Sequence, residues 1–402
     1  MSYTAYSSRA RRGKSASTRT FGGRSNQSRP KKRGNAKQYI HPSKFISPAR
    51  EVAVEVYTPK HRFGDFNFMP LIQQNIAAKG YDVPSPIQDQ TIPLALEGGD
   101  VIGLANTGTG KTAAFLLPIL QRLLTTKSRA IIIAPTRELA QQIEVEFASF
   151  AKGSGLYGAL LIGGSSMGRQ LSELRTNPSI IFGTPGRIKD HLERRSLDLS
   201  DINVVVLDEV DRMLDMGFVG DITDILKQTA QPRQSLFYSA TIDARVATLT
   251  QQFMDDPVTV SVVTSVTSDN VEQDAIYVTS SEDKMAKLHD LLLSEDMGKA
   301  LVFDETQRSV ERLSKQLIDR GFMADAIHGG KSQGQRQRAL DKFKKSQVNV
   351  LVATDVAARG IDVADVTHVI NFSQPNTYDD YIHRIGRAGR AGRKGFAFTF
   401  VD

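Results

Sequence analysis

Val204-Val205-Val206-Leu207 is an unbroken aliphatic run that stops on Asp208-Glu209. A strand without polar alternation must be covered on both faces, which a parallel sheet flanked by helices provides. Similar short runs occupy residues 101–104, 130–134, 159–162, 180–182 and 236–238, with helical patterns such as 112–124 and 137–150 between them. The alternation pauses over residues 262–272, which are polar and have no helical period. It resumes with runs at 275–278, 300–303, 348–353, 369–372 and 396–401. The pattern predicts α/β architecture: two tandem, doubly wound parallel-sheet domains over 51–261 and 273–402, joined by a short linker over 262–272. In such sheets ligands bind beyond the carboxyl ends of the strands.

Residues 1–50 carry 13 of the 51 Lys and Arg and none of the 44 Asp and Glu, so the formal charge of +7 sits in this segment and the body is mildly acidic. The segment is predicted to be a disordered basic tail, with order beginning between Glu51 and Phe63. Its Arg-Gly pairs and Tyr3, Tyr6 and Tyr39 suit nucleic acid, through charge and stacking. A solvated tail without a specific role and a transit peptide are the competing readings. The absence of Cys excludes disulfides and thiolate metal sites. With 40% hydrophobic and 24% charged residues and no apolar run of membrane length, a soluble globular chain is expected.

Ala105-Asn106-Thr107-Gly108-Thr109-Gly110-Lys111-Thr112 follows a predicted strand and opens a predicted helix. This is the P-loop pattern, with Ala105 in place of the first glycine. Its backbone N–H groups and the helix N-terminus suit phosphate oxygens, Lys111 the β- and γ-phosphates and Thr112 a Mg²⁺ ion. Asp208 and Glu209, closing the aliphatic strand, complete the pattern. Asp208 is the expected partner of Mg²⁺, and Glu209 is placed to orient or deprotonate an attacking water. ATP and Mg²⁺ are therefore the expected ligands.

With these two motifs in place, the sequence resembles the DEAD-box ATP-dependent RNA helicases, a branch of helicase superfamily 2, over about residues 63–402. The stretch from Gly80 to Gln88 is similar to the Q motif, and Phe63 stands where an upstream aromatic packs on adenine. The resemblance assigns Gln88 to the adenine edge, chemistry an amide can perform. Pro135, Thr136 and Arg137 resemble motif Ia, Gly163-Gly164 the glycine doublet, and Thr184, Gly186 and Arg187 motif Ib; all are implied to meet the RNA backbone. Ser239-Ala240-Thr241 resembles motif III, which couples hydrolysis to unwinding. Later, Leu301-Val302-Phe303 and Thr306 resemble motif IV. Gln333 and Arg336 resemble a Gln-x-x-Arg motif, and the stretch from Ala353 to Asp362 a full motif V. Thr354 and Gly360 are thereby assigned to RNA and Asp362 to the ribose. The stretch from His383 to Arg390 resembles motif VI, with Arg387 and Arg390 reaching the γ-phosphate and His383 on the coupling path.

The resemblance implies two RecA-like domains and an RNA-stimulated ATPase, a hydrolase acting on acid anhydrides. Closure of its two domains would drive local RNA unwinding or RNP remodelling. An ATP-gated RNA clamp that hardly unwinds is the alternative. A DNA-translocating motor and a catalytically degenerate member fit the motifs less well. The implied partner is RNA with little sequence preference, bound by a monomeric core in the cytoplasm, or in a nucleus. Three departures stand out. Val210 replaces the usual Ala, making the box Asp-Glu-Val-Asp, and Ala388 replaces Thr. The sequence also ends at Asp402, directly after a predicted strand, where relatives continue with a helix. An exposed apolar sheet face is the expected consequence.

Overall fold

The computed structural model describes residues 39–49, 57–106, 108–262, 270–294, 296–358, 363, 365–389 and 394–401. The Arg-Gly tail over 1–38 and most of the predicted linker lie outside them. Seven strands form the first sheet: β1 (Val101–Leu104), β2 (Ala130–Ile133), β3 (Gly158–Leu161), β4 (Ile180–Gly183), β5 (Val204–Asp208), β6 (Gln234–Ser239) and β7 (Val258–Ser261). Six form the second: β8 (Val271–Tyr277), β9 (Lys299–Phe303), β10 (Ala324–Ile327), β11 (Val350–Ala353), β12 (Val366–Asn371) and β13 (Gly395–Val401). Their spatial orders are β3-β4-β2-β5-β6-β1-β7 and β10-β11-β9-β12-β13-β8. All the strand pairs are parallel. No helix among the described residues is long and apolar enough to cross a membrane.

Each sheet is buried on both faces, as the unbroken aliphatic runs require. On the first, Phe115, Leu120 and Phe147 fill one side, while Met213, Ile222 and Leu249 fill the other. The register then aligns strand ends. Leu104 of β1 pairs with Ser239 of β6, and Asp208 of β5 pairs with Tyr238 of β6. The P-loop, the acidic box and the Ser-Ala-Thr segment therefore leave the sheet side by side. Gly103 is required by this packing: a Cβ there would stand 2.5 Å from the Tyr238 ring, which is fully buried.

Two strands escape the aliphatic pattern. In β7 three of four residues are exposed, as suits an edge strand, and β10 reads Ala-Asp-Ala-Ile. β8 also begins at Val271 rather than at 275, so the last two positions of the predicted linker are strand.

Two expectations need correction. Residues 39–49 are not tail. Pro42–Phe45 forms a 3₁₀ turn, and Ile40 and Phe45 are buried in the core of the second sheet with Val271, Tyr381 and Val401. Nor is that sheet left with a bare apolar face beside its last strand. Phe400 is 1% exposed, against Met285 and Leu288 on one side, and Val401 is 4% exposed on the other. The segment from Ile40 to Phe45 and helix Tyr378–Ile385 supply the second cover.

His368 on β12 is 2% exposed and lies between Phe396 and Phe398, 4.8 and 6.1 Å from their centroids. Burial pulls its pKa down to about 4. The unfolded chain therefore takes up the proton first as pH falls. The stability His368 contributes is complete above about pH 6.5 and lost on descent towards pH 4. Urea midpoints should fall more over this window in the parent than in His368→Phe. Parallel curves would mean that the imidazole does not titrate with folding.

Candidate functional site

The P-loop turns tightly between β1 and helix Lys111–Thr125. Gly108 and Gly110 adopt positive φ, 87° and 96°, a region other residues enter at a cost. Lys111 is buried; its ammonium donates to the Ala105 carbonyl at 3.0 Å and lies 4.0 Å from Asp208. Thr109 donates to the Asn106 carbonyl at 2.8 Å. Thr112 is half-buried on the first turn of the helix. Thr107 lies outside the described residues.

Gln88 sits one layer behind this loop. Its amide nitrogen donates to the Gly110 carbonyl at 3.1 Å, and its amide oxygen accepts from the Ser85 N–H at 2.9 Å. The amide thus braces the P-loop and keeps one N–H and one lone pair for another partner. The nearby Ser85 hydroxyl is buried without a hydrogen-bond partner. Phe63 is 5% exposed and stacks on Tyr81 at 5.9 Å.

The two carboxyls of the acidic box are shifted in opposite directions. Burial pushes the Asp208 carboxyl up to about 6, against the pull of Lys111. Burial acts the same way on Glu209, but Arg212, Lys111 and Arg387 outweigh it and hold Glu209 well below the ordinary range. Neighbouring carboxyls are thereby driven apart, a pattern of functional sites. Glu209 has a left-handed backbone, φ 54°, unusual outside glycine, asparagine and aspartate. Arg212, which the sequence did not single out, is 5% exposed and forms a close ion pair with Glu209. Its place on the turn after Glu209 was a usable signal.

Asp211 ties the box to the Ser-Ala-Thr segment. Its Oδ2 accepts from the Ala240 N–H at 3.1 Å, the Thr241 N–H at 3.0 Å and the Thr241 hydroxyl at 3.1 Å. Its own N–H donates to the Ser239 hydroxyl at 3.2 Å. Val210 points away from this network into the core with Met213 and Phe237. The added methyls leave the links intact.

Arg387 and His383, from the second lobe, line the same cleft as Lys111, Glu209 and Arg212. Arg387 is 5% exposed. Asp362 and Arg390 lie outside the described residues. Arg384, next to His383, forks onto Asp355 at 2.6 and 2.7 Å, donates to Ser373 O at 2.7 Å and stacks over Phe303. It pins helix Tyr378–Ile385 to the end of β11 and is unavailable to a ligand.

A second groove, also shared by the lobes, is lined by Pro135, Thr136, Arg137, Gly186, Arg187 and Arg336. Thr136 caps helix Arg137–Phe150 by accepting from the Leu139 N–H at 3.3 Å. Gly163 and Gly164 form a cradle for Arg137: a Cβ at Gly164 would lie 2.4 Å from its Nη1. Burial, then the nearby Arg336 guanidinium, lowers the Arg137 pKa. Crowded, half-desolvated guanidinium groups favour an anion between them. Thr184 precedes helix Pro185–Glu193, and Gly186 faces open space where backbone can be approached closely. Across the groove, Arg336 pairs with Glu138 at 2.9 Å and Gln333 donates to it at 3.3 Å. Glu138 belongs to the first lobe and was not foreseen as their partner. Thr354 is buried at the end of β11, and Gly360 lies outside the described residues.

Among the described residues, no three His, Cys, Asp or Glu side chains converge as a metal site. A cation here would share its coordination with phosphate and water.

Comparison with known proteins shows the family. Residues 85–249 match the family described as DEAD/DEAH box helicase, and residues 283–392 match the helicase conserved C-terminal domain. The chain is 44% identical over 345 residues to the ATP-dependent RNA helicase CshA of Limosilactobacillus reuteri, covering 85% of this chain and 69% of that one. To the DEAD-box ATP-dependent RNA helicase CshA of Bacillus subtilis it is 44% identical over 344 residues, 84% and 69% of the two chains. The structure is similar to S. cerevisiae Dbp5 bound to RNA and ADP BeF3, with TM-score 0.74, 30% identity and coverage of 84% and 89%. It is also similar to Mss116p bound to ssRNA and AMP-PNP, with TM-score 0.76, 30% identity and coverage of 84% and 73%.

The Gly164 cradle gives a direct test. Gly164→Ala adds a Cβ at φ +78° and must displace Arg137. Losing one charge-assisted contact of about 1.5–3 kcal/mol should weaken oligouridylate binding roughly tenfold or more, measured by anisotropy. Nucleotide affinity without RNA should not change. Unaltered oligouridylate binding would remove Arg137 from the RNA site.

Proposed function

The chain belongs to the DEAD-box ATP-dependent RNA helicases, and from that premise we propose that it couples ATP binding and hydrolysis to local RNA unwinding or RNP remodelling through closure of its two lobes. The observation that carries this reading is the cleft in which Lys111 and Glu209 of one lobe meet Arg387 of the other. The similarity to Dbp5 and Mss116p, each bound to RNA and a nucleotide, extends over both lobes.

The geometry supports the following roles. The P-loop from Ala105 to Gly110 holds the phosphates by backbone N–H groups, and Lys111 neutralises them. Gln88 positions the loop and offers its remaining amide valences to adenine. Glu209 stays ionised near neutral pH and accepts a proton from the attacking water, or orients it. Water adds to the γ-phosphorus in line and the bond to the β-phosphate oxygen breaks, giving ADP and phosphate. Arg387, and Arg390 beside it in sequence, stabilise the charge that builds on the γ-phosphoryl group. Thr112 and Asp208 would hold Mg²⁺, which would add to the charge of Lys111 in neutralising the phosphates there.

The second groove takes the RNA backbone. Arg137, Arg187, Thr136, Thr184 and the Gly163-Gly164 turn come from one lobe; Gln333, Arg336 and Thr354 come from the other. Because both sites need both lobes, each ligand favours the same arrangement, and linkage makes their binding mutually reinforcing. Asp211, bonded to Ser239 and Thr241, gives the hydrolytic site a direct mechanical connection to motif III, with His383 facing it from the second lobe. The clamp reading draws on one observation: Glu138 already holds Gln333 and Arg336 across the lobes. A duplex-displacement assay separates the two readings.

Steady-state ATPase activity, with and without single-stranded RNA or DNA, is the deciding measurement. RNA alone should stimulate turnover, and Glu209→Gln should lower kcat by about 100-fold or more while retaining nucleotide binding. Equal stimulation by DNA, or undiminished turnover in Glu209→Gln, would overturn the assignment.

A further inference from the structure

The covalent path between the lobes includes the chain from Val262 to Asn270. The segment from Tyr39 to Ala49 creates a second path. It is docked on the second lobe, although the next described residues, from Tyr57, belong to the first.

Both ends are firmly held. Phe45 is fully buried, its ring 4.9 Å from that of Tyr381. The Ser47 N–H donates to the Gln273 carbonyl at 3.0 Å, and the Gln273 N–H returns a bond to the Ser47 carbonyl at 2.8 Å. The Tyr381 hydroxyl donates to Gln273 Oε1 at 2.9 Å, so side chain and backbone form one patch at the edge strand β8. His41 Nδ1 accepts from the Ser43 N–H at 3.3 Å and caps the 3₁₀ turn that presents Phe45. On the first lobe, Asp89 gathers the Tyr57 hydroxyl, the Lys60 N–H at 2.8 Å and the His61 N–H at 3.1 Å. Asp89 is 1% exposed and adjoins Gln88, the residue bracing the P-loop.

We propose that residues 39–49 are a built-in strap: a second tether that limits relative movement of the lobes and thereby sets the ATP and RNA concentrations needed to close them. This rests on the two-lobe mechanism above. Ten residue steps separate Ser47 from Tyr57, a reach of about 35 Å at full extension, and eight separate Val262 from Asn270, about 28 Å. The tethers leave the second lobe close together, at Gln273 and Asn270. They reach the first lobe at different elements, Asp89 of helix Pro86–Leu96 and the end of β7. A single tether bounds separation but leaves rotation open. A second, anchored elsewhere, also restricts rotation and raises the effective concentration of one lobe's face for the other.

The chain contains no Cys, so Lys227→Cys and Lys315→Cys, both at exposed positions, place one dye on each lobe. Single-molecule energy transfer in the ligand-free full chain should show longer and more widely spread distances in Phe45→Ala. The half-saturating concentrations of ATP and single-stranded RNA should rise about three- to tenfold, with kcat at saturation unchanged. In a separate unlabelled chain, Ser47→Cys with Gln273→Cys joins a hydrogen-bonded antiparallel pair, whose typical Cα separation of about 5.5 Å suits a disulfide. Added to Phe45→Ala and oxidised, this bond should restore the parent half-saturation values, and reductant should abolish the rescue. Unchanged distances in Phe45→Ala would overturn the proposal, as would reduced kcat that the disulfide fails to rescue. The latter would mark Phe45 as a support for the second lobe alone. If the parent lacks RNA-stimulated turnover the helicase reading fails, while the distance measurement still decides whether the strap restrains the lobes.

Discussion

Parallel pairing of β1, β5 and β6 is the constraint on which the rest of the site depends. Their register brings Leu104 beside Ser239 and Asp208 beside Tyr238, so three loops of different chemistry start from adjacent strand ends. Gly103 secures that alignment by making room for Tyr238. The fully buried strands are stiff, so the loops can carry unfavourable conformations: Gly110 at φ 96° and Glu209 at φ 54°. The strand framework pre-organises the polar groups that must otherwise be ordered when a phosphate arrives.

Charge inside that framework is balanced locally. Lys111, Arg212 and Arg387 face Asp208 and Glu209 in a region where all five are nearly excluded from water. Buried ions are stabilised only if their partners remain. In the proposed mechanism the site would be sensitive to lobe position, because Arg387 is the cation that would leave if the second lobe moved away. Its departure would remove one influence holding Glu209 ionised. The properties of the proposed catalytic base would then depend on closure, linking conformational state to hydrolysis without a separate sensor.

The fold was legible wherever burial dictated composition. The aliphatic runs at β1, β2 and β5, alternating with helical stretches, suit a sheet buried on both faces, whereas β7, an exposed edge, and β10, short and split by Asp325, carry too little apolar signal. Phosphate-binding and acidic residues were legible because their chemistry is concentrated in short contiguous stretches. Partners separated in sequence were not. Glu138 meets Arg336 only through the lobe arrangement, and Asp89 meets Tyr57 and His61 only through a chain reversal. Residues 39–49 were misread for a different reason. A short segment with two Pro and two Ser that directly follows the basic stretch looks like tail, and two buried apolar side chains, Ile40 and Phe45, suffice to dock it when a complementary sheet edge exists.

The cross-lobe contact of Glu138 shows how the two grooves can communicate. Its carboxylate is 3% exposed, and Gln333 and Arg336 approach it from the opposite lobe. Opening the lobes would hydrate both charges, so the pair gains Coulomb energy on closure but gives up solvation, and its net contribution is small. The Arg336 Nε remains without a hydrogen-bond partner, and so does the oxygen of the Gln333 amide. The contact is thus incompletely satisfied, which makes it a poor lock and a suitable switch. An RNA phosphate entering beside Arg137 would meet the Arg336 guanidinium there and relieve the crowding between the two cations. Under the proposed mechanism, nucleotide would act on the same lobe arrangement through Arg387. Neither ligand needs to hold the lobes alone, and their combined preference can decide between states that the protein's own contacts leave nearly balanced.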